Sequence, residues 1–430
     1  MLPSTASRTP SPAVRHPVAL EILLHGPVSR SELARRLDLS PASLTRLTRP
    51  LLRSGLLVEG SNHRQPRGGR PARPLDVVPT AHHFIGIKLT GDEAHAVTTT
   101  LRAEVVGHRS TPLPARDPPS VVAALADLVA AVAEGVPRVT GLGVCLGGLT
   151  ADQRTVQQAP FLDWTEPVPL ASMLEQATGL PTVLENDVLA LTRAEHWFGA
   201  ARGSGHFAVV TIGAGVGFGL VVHDALVESP DAGLGLVGHY PIDPSGPLCF
   251  AGHRGCANAL LTMSSIQARV SVGLRRRVSY EQCMDLAARG NPVAAVAAAD
   301  SGRALGRLIA AIANLTMARK IVLTGEGVRL AMVAPGAVAV AEGVEMDRDA
   351  LAQPLDIDIQ RTGFGEWARG AAATAIQAFV LENYAPDVKP AGGGYRASAG
   401  AGGTVKAARK RRSASSSSPE AHASRPTVPS

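Results

Sequence analysis

Residues 238–242 read GHYPI, and residues 246–256 read GPLCFAGHRGC. The stretch combines the imidazole of His239 with the thiols of Cys249 and Cys256, and it has four glycines within nineteen residues. Imidazole and thiolate groups at such spacings can close around a tetrahedral zinc ion. The stretch therefore predicts a metal-binding loop within a larger folded body.

The composition is typical of a soluble globular protein with two or three domains. The 430 residues exceed one ordinary core, and 45% of them are hydrophobic while 18% are charged. No apolar run is long enough to span a membrane, and the start of the chain lacks a secretory pattern. Four cysteines are too few for a disulfide framework. We therefore expect a cytoplasmic protein with no membrane partner.

Charge is distributed unevenly along the chain, whose net charge is only +6. Residues 1–79 contain 12 Lys/Arg against 5 Asp/Glu, and residues 387–430 contain 8 against 2, which leaves −7 for residues 80–386. Basic ends on an acidic body indicate that the ends meet a polyanion, and a solvated basic surface is the alternative. Residues 1–12 are rich in Ser and Pro, and the basic tail 387–430 is rich in Gly, Ala and Ser, so both are predicted to be disordered.

Helix signals near the N-terminus predict a helix-turn-helix. The predicted helices cover residues 13–25, 30–37 and 41–54. Ser29 and Glu32 form a capping box for the second helix. Ser40 caps the third helix, and Pro41 occupies its first position, where the missing N–H costs nothing. Three short helices with a tight turn between the second pair are typical of this DNA-binding motif.

Two predicted strands, residues 56–59 and 75–78, flank a basic loop and form a wing. Together with the helices they predict a winged helix-turn-helix over residues 13–79 that binds a double-stranded DNA operator. The predicted DNA contacts are Ser43, Thr45, Arg46, Arg49 and Arg53 on the third helix, and Arg67 and Arg70 on the wing. The alternative is a three-helix protein-interaction module with a solvated basic face.

From residue 84 onward, strands and helices alternate, which predicts an α/β body. Strands are predicted at Phe84–Leu89 and Gly141–Leu146, and glycine-rich turns follow strands near residues 213–219 and 325–327. Such turns let backbone amides approach a ligand, often a phosphate. Each turn alone is weak evidence, because glycine turns are common in α/β proteins.

The ordered set of these motifs resembles the ROK family (repressors, open reading frames and kinases) over about residues 80–386. The matching segments are the GHYPI and GPLCFAGHRGC stretch, Gly141–Val144, Leu162–Trp164, Glu185–Asp187, Thr211–Gly219, Ile321–Gly325 and Gly370–Ala372. The N-terminal segment also resembles the winged helix of ROK regulators. The resemblance implies an α/β body with the two-lobed actin/hexokinase-like (ribonuclease H-like) ATPase fold, which serves as the effector and dimerisation domain.

The resemblance places a nucleotide site at residues 88–92, and this site is altered. ROK kinases have D-x-G-G-T here, and the aligned residues begin with Lys88. A lysine cannot hold the metal that phosphoryl transfer requires. We therefore expect no ATP cofactor, no catalytic residues and no enzyme activity, although Asp187 matches the position of the kinase base.

By the same resemblance, the effector site would include Asn186, Asp187, His239 and Asn258. Two family carboxylates are missing, because Leu236 and Asn258 stand at positions where the family has Glu. Each lost carboxylate removes acceptors for sugar hydroxyls, so the effector is expected to be a small carbohydrate of a non-standard kind. The alternative for Asn186 and Asp187 is a polar strand end or a helix cap.

The resemblance also assigns His239, Cys249 and Cys256 as zinc ligands. Ala251 stands where the family has a further cysteine, and His253 is the candidate that replaces it as the fourth ligand. The alternative is that zinc has been lost and the cysteines are small buried residues.

These features together predict a cytoplasmic ROK-type transcriptional regulator, in the form of a repressor that senses a carbohydrate. Two recognition helices must meet two half-sites, so a homodimer is expected. The alternatives are a ROK sugar kinase with an accessory DNA-binding domain and a DNA-binding protein that needs no ligand.

Overall fold

The computed structural model describes residues 15–60, 73–150, 152–229 and 231–383. The termini predicted to be disordered, residues 1–12 and 387–430, lie outside the described residues, as does the wing tip with Arg67 and Arg70. The domain boundaries proposed from the sequence stay predictions.

The N-terminal module consists of three helices and a two-stranded wing base. Its elements are α1 (Arg15–His25), α2 (Arg30–Arg36), α3 (Pro41–Arg53), β1 (Leu57–Glu59) and β2 (Leu75–Val77). The Ser29 hydroxyl accepts a hydrogen bond from the Glu32 N–H at 3.2 Å, and Ser40 caps α3 in the same way through Ser43 N–H at 3.1 Å. The predicted Ser29 and Ser40 caps therefore set where α2 and α3 begin, whereas the predicted capping box is only half formed, because the Glu32 carboxylate accepts hydrogen bonds from Arg35 and Arg36.

The first lobe is built on a five-stranded sheet in the order β5-β4-β3-β6-β9. Its elements are β3 (His83–Leu89), β4 (Glu93–Thr100), β5 (Val105–Pro112), α4 (Pro118–Ala133), β6 (Val139–Leu146), β7 (Leu149–Thr150), β8 (Val156–Gln158), α5 (Leu170–Thr178), β9 (Thr182–Asn186) and α6 (Asp187–Phe198). Strands β3, β6 and β9 run parallel, so their carboxyl ends meet at one edge of the sheet.

The second lobe has a five-stranded sheet in the order β12-β11-β10-β13-β14. Its elements are β10 (His206–Ile212), β11 (Val216–Val222), β12 (Ala225–Leu226), α7 (Ala257–Leu261), α8 (Met263–Leu274), α9 (Tyr280–Ala288), α10 (Pro292–Thr316), β13 (Lys320–Thr324), α11 (Ala334–Met346) and β14 (Asp356–Ile359). The final helix, α12 (Phe364–Asn383), returns to the first lobe.

Helix α12 packs directly on the backbone of the first sheet because two strand glycines leave room for it. A Cβ added at Gly86 would lie 1.9 Å from the carbonyl oxygen of Ala368, and one at Gly143 would lie 1.9 Å from that of Ala371. Any larger residue at either position would overlap the helix, so these contacts fix α12 on β3 and β6.

The winged helix and the body share one hydrophobic core. Buried residues of α1, such as Ile22, cluster with Phe84 of β3, Trp197 of α6 and Ile376 of α12. Only residues 78–82, most of them a 3₁₀ turn, separate β2 from β3. The body therefore holds the winged helix by direct packing.

Candidate functional sites

The recognition helix α3 separates a buried stripe from an exposed basic stripe. Leu44, Thr48 and Leu51 are buried, which orients the helix against the module core. The arginines predicted to contact DNA, Arg46, Arg49 and Arg53, are exposed together with Thr45, and Ser43 is half-buried. A groove of about 570 Å³ runs along this face.

The arginines of α3 differ from those of α2 in their ion pairs. Arg30 pairs with Glu59 at 2.6 Å, and Arg36 pairs with Glu21 at 2.7 Å. Arg35 of α2 pairs with Glu32 at 2.6 Å. In the part of the chain that the structure describes, none of the three α3 arginines forms an ion pair or a side-chain hydrogen bond. Their guanidinium groups are therefore available to an external anion.

Where the carboxyl ends of β3 and β9 approach Glu326 of the second lobe, a region that we call the cleft, Lys88 forms a salt bridge with Asp187. Lys88 lies near the end of β3 and Asp187 begins α6, and their side chains are 9% and 16% exposed. Burial lowers the pKa of Lys88, but the charge and hydrogen bond of Asp187, with further contributions from Cys145 and Glu326, together outweigh burial and hold the pKa above its usual value. The lysine therefore stays protonated, and Asp187 is engaged in an internal ion pair.

Two residues that the sequence did not single out complete this cluster. The Lys88 ammonium lies 5.1 Å from the ring centroid of Trp367, at the start of α12. The indole Nε1 of Trp367 donates a hydrogen bond to the Glu326 carboxylate at 2.7 Å. Burial raises the pKa of Glu326 above its usual range. In the sequence, the signal for the Lys88–Asp187 pair was the presence of opposite charges at two motif positions that meet in the cleft.

The amide of Asn186 acts as a helix cap. Its Oδ1 accepts hydrogen bonds from the N–H groups of Val188 at 3.0 Å and Leu189 at 3.3 Å. Its Nδ2 donates to the Gly148 carbonyl at 3.0 Å, and only 4% of the residue is exposed. A Cβ at Gly233 would lie 3.0 Å from Nδ2, so the loop containing Gly233 packs against this amide. Asn186 therefore forms the helix cap that the sequence analysis gave as the alternative for this position.

Asn258 is also engaged within the protein. It lies in α7, is 9% exposed, and its Oδ1 accepts a hydrogen bond from the Val216 N–H at 3.1 Å. Its amide contacts Gly238, next to His239. The structure thus brings Asn258 beside Gly238 in the His239 loop, whereas Asn186 and Asp187 are already neighbours in the sequence. The role of all four in binding an effector stays a prediction.

The four predicted metal ligands form one cluster. The ligand atoms of His239, Cys249, His253 and Cys256 all lie within 4.8 Å of one another. The Nδ1 atom of His239 lies 3.7 Å from the Cys249 Sγ, 3.9 Å from the Cys256 Sγ and 2.9 Å from the His253 Nδ1. Ligands on a tetrahedral zinc ion are about 3.3–3.8 Å apart. The donor set suits zinc, and the two thiol distances lie close to this range, while the distance to His253 is shorter.

A tight turn brings His253 to the cluster, whereas Ala251 has no side-chain atom that could bind a metal. The Cys249 N–H donates to the His253 carbonyl at 2.9 Å, and Gly252 N–H donates to the Cys249 carbonyl at 3.0 Å. This closes the turn and brings residue 253 back beside residue 249. Burial and the nearby charge of His253 lower the pKa of His239, which favours the neutral imidazole that binds metal.

The sequence profile of the ROK family matches residues 84–377. The chain belongs to the ROK family. Its ROK relatives include the DNA-binding transcriptional repressor Mlc of Escherichia coli (strain K12), 28% identical over 69% of this chain and 77% of the relative. The xylose repressor of Bacillus spizizenii (strain ATCC 23059 / NRRL B-14472 / W23) is 27% identical over 62% of this chain and 70% of that protein.

Solved ROK structures give the same answer for the fold. A ROK family transcriptional regulator, a homologue of the E. coli Mlc protein, matches with a TM-score of 0.75 and 25% identity, covering 86% of this chain and 96% of that one. A ROK glucokinase from Streptomyces griseus matches with a TM-score of 0.59 and 24% identity, over 69% of this chain and 99% of that one. The predicted family, two-lobed α/β fold and class of DNA-binding transcriptional regulator are confirmed.

Lys88 and Ala251 are the ROK positions where this chain departs in ways the geometry explains. Lys88 introduces a cation beside Asp187. Ala251 removes a thiol, and His253 places an imidazole in the same cluster.

Across the described ranges, no helix has the length and apolar character needed to cross a bilayer.

Proposed function

We propose that this ROK protein is a cytoplasmic repressor that binds operator DNA as a homodimer and has no kinase activity. The observation that carries the proposal is that Arg46, Arg49 and Arg53 have no ion-pair partner among the described residues, whereas all the arginines of α2 are paired. Neutralising exposed arginines with phosphates releases counterions, which drives protein–DNA association. The wing arginines Arg67 and Arg70 extend the proposed contact.

Duplex binding at fixed salt tests this proposal. Duplexes enriched from a random-sequence library by the purified chain should bind more tightly than scrambled versions of the same duplexes, by at least about a thousandfold. Binding of enriched and scrambled duplexes with equal affinity would contradict sequence-specific regulation.

The Lys88–Asp187 pair supports the absence of phosphoryl transfer. A catalytic base must accept a proton from the acceptor hydroxyl, and Asp187 is paired with a buried ammonium group instead. A lysine at position 88 repels the metal ion that neutralises phosphate charge. Incubation with ATP, magnesium and a panel of sugars should give no ADP above the enzyme-free rate, and turnover of any sugar would favour the kinase alternative.

A small carbohydrate is the proposed effector, held by Asn186, Asp187, His239 and Asn258. Support comes from relatives whose names include N-acetylglucosamine repressor and xylose repressor. A sugar that binds the native state will raise the melting temperature and change operator affinity, because it must bind two states unequally. If no sugar or sugar derivative changes either quantity, the ligand-independent alternative is favoured.

Zinc is the proposed metal of the His239–Cys249–His253–Cys256 cluster. When bound, it would tie the loop that carries His239 into one conformation. Metal analysis should find about one zinc per chain. His253→Ala should lower the zinc content, and the addition of Ala251→Cys to that variant should restore it. Cys283→Ala, which removes a buried cysteine outside the cluster, is the matched control. A folded preparation that contains no metal would contradict the zinc site.

A further inference from the structure

Three arginines of the body form a connected set at its junction with the winged helix. Arg102 lies in the turn between β4 and β5, Arg202 lies in the turn after α6, and Arg369 lies on α12. We refer to these three residues as the arginine relay. None of them belongs to the DNA-binding face, the metal cluster or the cleft.

Two members of the relay bind the winged helix directly. Arg102 donates to the Gly26 carbonyl at 3.2 Å and to the Asp76 carboxylate of β2 at 2.5 Å. Arg202 donates to the carbonyl of Leu24, in the last turn of α1. The terminal carbonyls of a helix lack intrahelical partners and attract cations, so both arginines stabilise the end of α1 on the body.

Arg369 fixes the two turns that carry these arginines. Its Nε donates to the Ala103 carbonyl, and its Nη2 donates to the Phe198 carbonyl, both at 3.0 Å. Ala103 follows Arg102 directly, and Phe198 ends α6 just before the turn with Arg202. The planar guanidinium group holds both carbonyls at once, which a lysine could not do in the same geometry. One side chain therefore sets the positions of both contacts to the winged helix.

The same helix reaches the cleft. Trp367, two residues before Arg369, donates to Glu326 of the second lobe and lies beneath Lys88. Because Gly86 and Gly143 hold α12 tightly on the first sheet, the helix moves with that sheet as one unit. The relay thus connects the winged helix to the helix that lines the cleft.

We propose that Arg369 is a positioning residue for DNA binding, which sets the orientation of the winged helix on the body. In a dimer, that orientation determines the separation of the two recognition helices and hence the half-site spacing that the protein accepts. The inference rests on the proposed function, because it concerns how an operator with two half-sites is recognised.

The test compares Arg369→Met and Arg102→Met with the wild-type chain on three enriched duplexes. The first carries two half-sites at the preferred spacing, the second carries them with the spacing changed, and the third carries one half-site. We expect affinity for the first duplex to fall about 5- to 30-fold and spacing preference to be lost. Affinity for the single half-site should change less than about twofold, because α3 itself is intact.

Arg348→Met is the matched control. Arg348 also donates to a side chain and a carbonyl, those of Asn314 at 3.1 Å and Gln353 at 3.0 Å, but in the second lobe away from the junction. It should leave all three affinities unchanged. Because Arg102 and Arg369 act in series, the double variant should bind no more weakly than the weaker single variant.

The outcomes separate the two proposals. If the wild-type chain binds an operator and Arg369→Met keeps both its affinity and its spacing preference, the relay is wrong while the proposed function stands. If Arg369→Met and Arg348→Met weaken binding equally, a general loss of stability explains the effect, and the positioning role is wrong. A wild-type chain that binds no duplex would overturn the proposed function and this role together.

Discussion

The positive charges of the recognition helix and of the cleft differ in exposure and in pairing. On α3, Arg46 and Arg49 are exposed and, among the described residues, unpaired. In the cleft, Lys88 is almost fully buried and is paired with Asp187. The charges on α3 are thus accessible to solvent, while the charge in the cleft is neutralised within the protein.

Solvation explains why both arrangements are stable. An exposed guanidinium is hydrated and costs little without a partner, whereas a buried ammonium loses its hydration and needs a fixed counterion. Each region therefore responds differently when its charge is removed. Loss of an α3 arginine should affect binding, and loss of Lys88 should affect folding.

Removal of Lys88 should have the largest effect. Lys88→Met leaves the carboxylate of Asp187 buried without its partner, which should lower the free energy of unfolding by about 3–5 kcal/mol at neutral pH. Urea denaturation measures this change. Asp187→Asn introduced together with Lys88→Met should recover much of the loss, and a lone Lys88→Met variant as stable as wild type would contradict the buried pair.

Removal of α3 arginines should weaken operator binding and leave stability almost unchanged. Arg46→Ala and Arg49→Ala should each cost about 1–3 kcal/mol of binding free energy, measured by titration of an enriched duplex. Arg35→Ala is the matched control on α2, since Arg35 is paired with Glu32. Equal losses for Arg35 and Arg46 variants would show that α3 has no special role.

The junction between the winged helix and the body, which contains His82, should lose stability at acidic pH. Burial, followed by the charges of Arg138 and His83, lowers the pKa of His82 to about 4. The native state therefore prefers neutral His82, and this contribution is present above about pH 6.5 and lost as the pH falls toward 4. Between pH 8 and pH 5, the free energy of unfolding should fall by about 2 kcal/mol more in wild type than in His82→Gln. An identical pH dependence in both proteins would contradict this assignment.

Salt dependence should give the smallest and most specific effect. Arg53→Ala should reduce the slope of log affinity against log salt by about one, as expected for loss of a single phosphate contact. Added salt should change the contribution of the Lys88–Asp187 pair to the unfolding free energy only slightly, because a buried ion pair is poorly screened. An unchanged slope in Arg53→Ala would exclude Arg53 from the phosphate contacts.

Local patterns predicted the winged helix well because its signals are local. The Ser29–Glu32 cap, Ser40 and Pro41 specify helix starts within one turn of sequence. The two-lobed fold and the metal cluster were recognised from ordered motifs, and the replacement of Ala251 by His253 depended on spacing across one short turn.

Long-range contacts could not be predicted in the same way. Lys88 and Asp187 are 99 residues apart in sequence, and Trp367 is 41 residues from Glu326. The hydrogen bonds that the Asn186 amide makes to the backbone of α6 and to Gly148 were likewise beyond the sequence, and its effector role stays a prediction. Such contacts depend on how strands and helices meet in space, which composition and periodicity do not specify.

The most direct test of the central claim is the affinity of wild type and the Arg46→Ala/Arg49→Ala variant for one enriched duplex and its scrambled version at fixed salt. The account predicts that wild type discriminates between the two duplexes by at least about a thousandfold, and that the double variant loses most of this discrimination while it remains folded. A double variant that discriminates as well as wild type would contradict the claim that α3 reads an operator.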